Sequence, residues 1–432
     1  MTHPTPPGTP LPADARPAAA TSPGAPPPAP TSRGTSDADR RLPLVVWVLG
    51  AVTFLVGTTE MVVAGILPDI AAALDVSEPR AGMLITAFAL GMTVGAPIMA
   101  LATLRLPRRA VLVTACLLFA AGHVLGVVTD TFGLALAGRV VSALGTGTFW
   151  AVGALVATST AGPARAASAM GVMVGGLTVA NVVGVPVGAA LGQRLGWQGP
   201  FWVLAVLALL AAGVVARLVP GERATTRTTV RDEVAVLRHG RLWLVYASVI
   251  LTQAALLGTY SYISPLLTDR AGLSASLVPL VMLGYGAGSV AGSAIGGRLG
   301  DRTPWRAALS AAALTTLLLG ALTLWATSSV TAVVLVVLLG MAGLVCNPIL
   351  SAQVVAVVGP NRPLAMALNT SSFNIGIAVG SALAGTALAS DLGAQGPPLA
   401  GTVLGALSLV PLTLLAWASH RAATRQVRAT TR

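Results

Sequence analysis

The chain has 432 residues, of which 55% are hydrophobic and only 9% are charged, and its formal net charge is +12. Soluble globular domains carry about 25% charged residues, so this composition excludes that class. It also excludes a nucleic-acid-binding protein, because the arginines lie in short segments between apolar runs and form no continuous basic stripe. The composition predicts a membrane protein that crosses the bilayer many times.

Sequence motifs of enzymes and metalloproteins are missing. Cys116 and Cys346 both lie inside apolar runs, so they predict neither a disulfide framework nor a metal cluster. The sequence shows no Ser/His/Asp set and no glycine-rich phosphate-binding loop. It therefore predicts no enzyme activity and no catalytic residue, no metal, no cofactor, and no ATP-driven transport by this chain alone.

The arrangement of apolar runs predicts the fold. Residues 1–42 are rich in Pro and Ala and predict a disordered cytoplasmic tail, because such a composition cannot form a packed core. From Leu44 onward, apolar runs of about 20 residues recur, the length that a helix needs to cross the bilayer. The predicted fold class is an all-α membrane protein with twelve transmembrane helices. The predicted spans are 44–67, 81–103, 110–128, 132–158, 166–191, 201–219, 242–267, 277–297, 306–326, 330–351, 364–388 and 399–418.

The arginines predict the orientation of the helices. If the N-terminus lies in the cytoplasm, 22 of the 26 arginines fall in tails, loops and helix ends on the cytoplasmic side, and three fall on the outer side. Short positively charged loops stay on the cytoplasmic side of a membrane. The sequence therefore predicts a multi-pass protein of the cell inner (plasma) membrane with both termini in the cytoplasm.

A basic segment at 220–241 predicts a cytoplasmic linker that divides the spans six and six. The two groups of helices resemble each other weakly. Phe88, Gly91 and Gly95 share their spacing with Tyr285, Gly288 and Gly292, and Gly57-Thr58-Thr59 has a counterpart in Gly258-Thr259-Tyr260. The pattern predicts two pseudo-symmetric six-helix bundles, 43–219 and 242–419, with a site between them and a basic cytoplasmic tail at 420–432. Two unrelated six-helix modules are the alternative.

Glycines spaced four apart recur on four predicted helices, where they allow another backbone to approach closely. They are Gly91/Gly95, Gly184/Gly188/Gly192, Gly284/Gly288/Gly292/Gly296 and Gly376/Gly380. We predict that these faces form interfaces between two halves that slide past each other. Generic helix packing is the alternative, and Gly122/Gly126 on the third helix fits it.

Few ionisable side chains lie deep in the apolar runs. Thirteen of the fourteen acidic residues lie in tails, loops or helix ends, and the exception is Glu60 in the first span. A charged, unpaired carboxylate is costly there, so Glu60 is protonated, paired or open to a water-filled cavity. This predicts a proton site, with a fixed ion pair or a hydrogen-bonded acid as the alternative. Arg139 is either its counter-charge or a structural arginine. His123 is either a proton relay or, as is commoner, a packing side chain.

These features together resemble the major facilitator superfamily, and within it the twelve-helix drug:proton antiporter branch, over residues 43–419. Gly297–Arg302 resembles the loop signature G-x-L-x-D-R, whereas Leu104 stands where the corresponding first-half loop should have Asp. Arg139–Gly145 resembles the signature whose arginine takes part in proton coupling. Gly184–Gly188 resembles the antiporter signature, with the usual order of Gly and Pro altered.

Two further stretches, 57–68 and 196–202, resemble the chloramphenicol exporters of actinomycetes, whose relatives also export sugars or purines. The resemblance implies proton coupling by Glu60 and Arg139. It implies conformational gating by Gly184, Pro186, Gly188, Gly297, Asp301 and Arg302.

The predicted function is proton-coupled export of small neutral or weakly cationic amphipathic compounds, of the multidrug or chloramphenicol type, by alternating access. Candidate substrate-binding side chains are Tyr260, Tyr262, Asn181, Asn369 and Asn374, although each amide is alternatively an interhelical hydrogen bond. A sugar or nucleobase facilitator or exporter of the same superfamily is the alternative function, and a non-transporting membrane receptor is the alternative from another class. The expected partners are the substrate, protons and the lipid bilayer, with no nucleic acid, and the protein is expected to be a monomer.

Overall fold

The computed structural model of the protein describes residues 1–2, 42–102, 106–128, 131–162, 165–221, 236–359 and 363–430. Across these residues the regular secondary structure is helical, and they contain no β-strand. Almost all of the predicted N-terminal tail, most of the basic linker, and Leu104 with its neighbours lie outside the described residues.

Twelve helices of the described chain are long and apolar enough to cross a membrane, which confirms the predicted fold class. We number them α1 to α12 in chain order. Their bounds are α1 Leu44–Gly65, α2 Glu78–Ala102, α3 Arg108–Val127, α4 Phe132–Ala161, α5 Ala166–Val179 continuing through Ala180–Gly184 to Val185–Leu195, α6 Gly199–Leu218, α7 Gly240–Tyr260, α8 Val278–Arg302, α9 Pro304–Trp325, α10 Ser329–Gly343 with Cys346–Val358, α11 Pro363–Leu388, and α12 Gly396–Thr430. Short helical pieces at Leu67–Ala73 and Ile263–Arg270 follow α1 and α7.

Two helices differ from their predicted spans for identifiable reasons. α12 continues to Thr430, through a segment that we predicted to be a tail, because an established helix extends through polar residues without needing apolar ones. α10 is interrupted after Gly343 and resumes at Cys346. Pro348 has no N–H to donate to the Leu344 carbonyl oxygen, so the helix lacks one backbone hydrogen bond at this point.

The buried apolar residues show where the two groups of six helices pack together. We call the end at which α1 begins and α12 ends the terminus side, and the opposite end the far side. One large cluster on the far side joins both groups, with Ile66 and Leu84 from the first and Tyr262 and Met282 from the second. On the terminus side each group has its own cluster, around Leu49, Phe119 and Phe149 in the first, and around Leu242, Ile349 and Leu412 in the second. Among the described residues, the halves therefore share one apolar core at the far side, whereas each has its own core on the terminus side.

Specific contacts between the halves run along two helix pairs. On α2 and α11, Ser371 Oγ donates to the Thr93 carbonyl oxygen at 3.1 Å. Near the far end of α5, Gln193 Nε2 donates to the Ala275 carbonyl oxygen, just before α8, at 2.7 Å. Gly286 of α8 lies directly against the backbone of α5 at Asn181, where a Cβ would clash.

The four-spaced glycines, in contrast, pack within each half. A Cβ on Gly91 would overlap Ala143 of α4, and a Cβ on Gly188 would overlap Val62 of α1. In the second half, Gly292 lies against the α10 backbone. The prediction that these glycines form sliding interfaces between the halves is therefore wrong. Their close approach serves tight helix packing inside each bundle, which was the alternative.

Candidate functional site

Arg139 lies about two turns into α4 and is buried, with 5% of its surface exposed. Its Nε donates to the Leu84 carbonyl oxygen at 3.2 Å, and its Nη1 donates to the carbonyl oxygen and the hydroxyl of Thr59 at 3.1 and 3.0 Å. The guanidinium also lies over the Phe88 ring, with Cζ 4.2 Å from the centroid. Arg139 thus joins α4 to α1 and α2 through charge-assisted hydrogen bonds and a cation–π contact.

His123 of α3 completes this group of buried polar side chains. Its Nδ1 lies 2.6 Å from the Phe119 carbonyl oxygen, and its Nε2 lies 2.7 Å from the Thr59 hydroxyl. A carbonyl oxygen can only accept, so Nδ1 carries the proton and Nε2 accepts from Thr59. The Thr59 oxygen in turn accepts from Arg139. The hydrogen bonds therefore run in one direction, from Arg139 through Thr59 to a neutral His123, which is the packing role.

Glu60 is the neighbour of Thr59 on α1, yet its carboxylate is not part of these hydrogen bonds. The Glu60 carboxylate makes no hydrogen bond with any described residue. Its oxygens lie more than 4.0 Å from the Arg139 nitrogens, which is too far for an ion pair. Part of its side-chain surface is exposed, and the charged group that acts on it through space is Arg139. Glu60 is therefore an unpaired acid near a fixed cation, and neither a fixed ion pair nor a hydrogen-bonded acid is found in the described chain.

The two candidate asparagines of α11 are buried with unpaired carbonyl oxygens. Asn369 Nδ2 donates to the Ser351 hydroxyl at 3.3 Å, and Asn374 Nδ2 donates to the Thr370 carbonyl oxygen at 3.0 Å. Neither amide oxygen has a hydrogen-bond partner in the described residues. Asn181, on α5, is partly exposed. The structure therefore leaves two acceptor atoms on α11 for which the protein supplies no donor.

The candidate tyrosines lie in the far-side cluster. Tyr260 stacks on Tyr285 of α8, with ring centroids 4.2 Å apart and an angle of 27° between the rings. The Tyr262 hydroxyl lies against Gly82 of α2 and Gly385 of α11, where no side chain would fit. Within the part of the chain that the structure describes, neither tyrosine makes a hydrogen bond or a ring contact with the asparagines. The roles of these five residues in binding substrate stay predictions.

The predicted gating residues of α5 lie where the helix changes its hydrogen bonding. Residues Ala180–Gly184 form a π-helical turn, and Pro186 follows directly. Pro186 cannot donate a backbone hydrogen bond, and a π-turn is a common way for a helix to absorb such a break. Gly184 lies against Thr58 and Gly188 against Val62, so this irregular part of α5 packs on α1.

The predicted gating residues of α8 lie at its terminus-side end. Asp301 and Arg302 are exposed and make no hydrogen bond or ion pair with other described residues. A Cβ on Gly297 would contact nothing within 4 Å. A latch role for this loop stays a prediction, and the equivalent first-half residues Leu104 and Arg105 lie outside the described chain.

Sequence reasoning missed three partners in this site. Thr59 and Phe88 were singled out as repeat positions, not as the residues that hold Arg139. Trp197 was noted only within the stretch that resembles exporters, yet it is buried beside Phe201 near His123. The sequence repeat could have pointed to Thr59 and Phe88. Positions that match between the two halves and lie near a buried charge are candidates to contact that charge.

Comparison with known proteins identifies the family. The sequence profile of the Major Facilitator Superfamily matches residues 49–319 and 258–431. The chain belongs to the major facilitator superfamily. It is thus a multi-pass membrane transporter and not an enzyme.

Curated relatives span most of the chain. It is 36% identical to a chloramphenicol resistance protein of Streptomyces lividans, over 85% of this chain and 95% of that protein. It is 34% identical to the uncharacterized MFS-type transporter YtbD of Bacillus subtilis, over 78% and 86%. It is 32% identical to the inner membrane transport protein YdhP of Escherichia coli K12, over 85% and 94%.

Solved structures share the fold at lower identity. A bacterial homologue of the human lysosomal transporter Spinster, crystallised inward-facing and unoccupied, matches with a TM-score of 0.72 and 16% identity, over 89% of this chain and 96% of that one. The inward-facing, occupied form of the Spinster homologue gives a TM-score of 0.70. This likeness confirms the major facilitator fold.

Proposed function

We propose that this transporter exports small neutral or weakly cationic amphipathic compounds of the chloramphenicol type in exchange for protons. The observation that carries the proposal is Glu60, a partly exposed acid with no hydrogen bond or ion pair among the described residues. An ionisable side chain inside a membrane span is costly, and such residues mark proton and ion pathways. Glu60 is free to gain and lose a proton because no partner fixes its charge.

Arg139 would influence how readily Glu60 gains and loses its proton. Its three hydrogen bonds hold the guanidinium in place, so a fixed positive charge lies near Glu60 without forming an ion pair with it. When Glu60 takes up a proton, the attraction between α1 and α4 weakens. A change of accessibility between the two membrane sides can then carry the proton in one direction and the substrate in the other.

The conformation supports alternating access. Among the described residues, the two halves share a buried apolar cluster on the far side and have separate clusters on the terminus side. With the predicted orientation, this arrangement faces the cytoplasm and can load substrate there. Asp301 and Arg302 have no hydrogen-bond or ion-pair partner among the described residues, as expected of a latch that forms when the terminus side closes.

The unpaired polar atoms suggest what kind of substrate binds. Among the described residues, the amide oxygens of Asn369 and Asn374 and the Tyr285 hydroxyl have no hydrogen-bond partner, and they lie on apolar helices. Such a site suits a molecule with an aromatic ring and a few hydrogen-bond donors, and it offers no cation for a polyanion other than the already bonded Arg139. An amphenicol has these features, and the Streptomyces lividans relative is named for chloramphenicol resistance.

Replacement of Glu60 tests the coupling. Glu60→Gln keeps the shape of the side chain but cannot titrate, so we expect proton-driven loss of preloaded labelled amphenicol from cells to fall to the level of cells without the transporter. Asp69→Asn, at an exposed acid outside the membrane spans, is the matched control and should export normally. Full uphill export by Glu60→Gln at normal expression would make Glu60 structural. If the unaltered protein moves a pentose or a nucleobase but no amphenicol, the alternative substrate class stands.

The orientation is tested by labelling two exposed loops. The native Cys116 and Cys346 are buried, so they should give little background. A cysteine at Ser276, on the far side, should react with an impermeant thiol reagent in intact cells, whereas one at Thr303, on the terminus side, should react after permeabilisation. The reverse pattern would place the termini outside.

A further inference from the structure

A small cavity lies beside Arg139, between α2, α3, α4 and the start of α6. It has about 20 Å³ of room for the centre of a water-sized guest. One water needs about 10–15 Å³ on this measure, so the cavity has space for a single small guest. Its walls are Leu84, Gly122, His123, Gly126, Val127, Ala135, Gly138, Arg139, Ser142, Trp197 and Phe201.

Two wall residues have a buried N–H group without an acceptor. Arg139 Nη2 has no hydrogen-bond partner, although Nε and Nη1 of the same guanidinium are bonded. The indole Nε1 of Trp197 also has none. Both side chains are at least 95% buried, with exposed fractions of 5% and 4%. A buried donor left unpaired is costly, and two around one cavity indicate a guest that accepts from both.

The remaining polar groups of the wall are already engaged. His123 donates through Nδ1 and accepts through Nε2. The Ser142 hydroxyl donates to the Arg139 carbonyl oxygen at 3.0 Å. No carboxylate lines the cavity, and its other walls are glycine, aliphatic and phenyl groups. The side chains of the wall therefore offer two unpaired donors, one of them on a full positive charge, and the Ser142 oxygen as an acceptor.

We propose that this cavity binds a small monovalent anion of the size of chloride between Arg139 Nη2 and Trp197 Nε1. A water molecule would also have to donate two hydrogen bonds of its own. Among the side chains of the wall, the Ser142 oxygen is the acceptor that they would find. An anion needs donors alone, and it balances the Arg139 charge, which has no carboxylate in contact. The bound anion would join the α5–α6 turn, where Trp197 lies, to α4, so the folded transporter would be more stable in halide.

Thermal unfolding of the purified transporter in detergent tests the proposal directly. Chloride is titrated against gluconate at constant ionic strength, and the unfolding temperature of the unaltered protein should rise with chloride and then saturate, as expected for a ligand of the native state. Trp197→Phe keeps the ring but removes the indole donor, so the apparent affinity for chloride should fall about tenfold. Trp202→Phe, on an exposed tryptophan in the first turn of α6, should leave it unchanged.

A bromide-soaked crystal of the unaltered protein gives a second measurement that does not depend on a variant folding. An anomalous bromide peak within hydrogen-bond distance of Arg139 Nη2 and Trp197 Nε1 is the expected result. A water without anomalous signal, an empty cavity, or an unfolding temperature indifferent to halide would each overturn the proposal. Equal chloride affinity in Trp197→Phe and the unaltered protein would do the same. None of these results bears on Glu60, so failure here leaves the proposed function standing.

Discussion

The two halves of the transporter use equivalent helix positions in different ways. In the first half, the Arg139 guanidinium lies over Phe88 of α2 and is bonded to Thr59 of α1. In the second half, Tyr260 corresponds to Thr59 in the sequence repeat and Tyr285 corresponds to Phe88, and the two rings stack on each other. The ring of Phe88 in the first half is therefore covered by the Arg139 cation, whereas the corresponding ring of Tyr285 in the second half is covered by the ring of Tyr260.

This difference separates two tasks. A buried cation requires acceptors from several helices, so the first half fixes a charge close to Glu60 at a precise place. α10, which corresponds to α4, has no charged residue from Ser329 to Gly343 or from Cys346 to Val358. The second half instead leaves the Tyr285 hydroxyl and two amide oxygens unpaired. This contrast fits the proposed function, in which the first half handles protons and the second recognises the substrate.

Removing the cation should have the largest effect on this contrast. Arg139→Leu deletes three hydrogen bonds and the contact with Phe88, which together join α4 to α1 and α2. We expect proton-driven export to be lost and the free energy of unfolding in detergent to fall by about 3 kcal/mol. Arg80→Leu is the matched control, because that exposed guanidinium lies over the Phe132 ring at 5.1 Å and should matter little. Normal export by Arg139→Leu would show that the two halves do not differ in proton handling.

The sequence was sufficient to predict the twelve spans, because the length of an apolar run and the need of a lipid-embedded backbone to bond to itself leave one structure available. It could not predict where α12 stops or that α10 is interrupted. These ends depend on helix propagation into polar residues and on a single proline. The glycine faces were recognised correctly as sites of close approach. Which helix each face meets depends on tertiary packing, which spacing does not encode.

The contact between Arg139 and Phe88 should have a smaller, separable effect. A double-mutant cycle with Phe88→Leu and Arg139→Leu removes the generic loss of apolar area and isolates the interaction between the two side chains. We expect a coupling of about 1 kcal/mol in the free energy of unfolding, the usual size of a desolvated cation–π contact. A coupling near zero would mean that Phe88 contributes only apolar packing. The correspondence between Phe88 and Tyr285 in the repeat would then say nothing about stability.

The site itself was only partly predictable. Glu60 and Arg139 stand out in any reading of the sequence, because charges are rare in membrane spans. Their separation could not be predicted, since it depends on how α1 and α4 rotate about their axes. The same is true of Trp197, whose unpaired indole matters only because the turn before α6 places it beside Arg139. A sequence pattern shows which polar and charged residues lie in membrane spans. Tertiary packing determines which atoms they contact.

The smallest effect is expected at Tyr285, and it sharpens the comparison most. The Tyr285 hydroxyl is buried without a partner, and the Ser289 hydroxyl, one turn away, donates to the Tyr285 backbone carbonyl instead, at 2.9 Å. Tyr285→Phe keeps the stacked ring and removes an unpaired polar group, so the free energy of unfolding should change by less than about 0.5 kcal/mol or rise slightly.

Measuring amphenicol export by Tyr285→Phe shows whether the Tyr285 hydroxyl contacts the substrate or has no role in binding. If the second half recognises the substrate through its unpaired atoms, Tyr285→Phe should lower the affinity for amphenicol while the protein remains fully stable. Tyr246→Phe is the matched control, because the Tyr246 hydroxyl donates to the Ala365 carbonyl oxygen at 2.8 Å and its removal should cost about 0.6 kcal/mol of stability without changing affinity. A stability loss at Tyr285 as large as that at Tyr246 would mean that the hydroxyl has a partner in the protein. The second half would then hold its polar groups as firmly as the first.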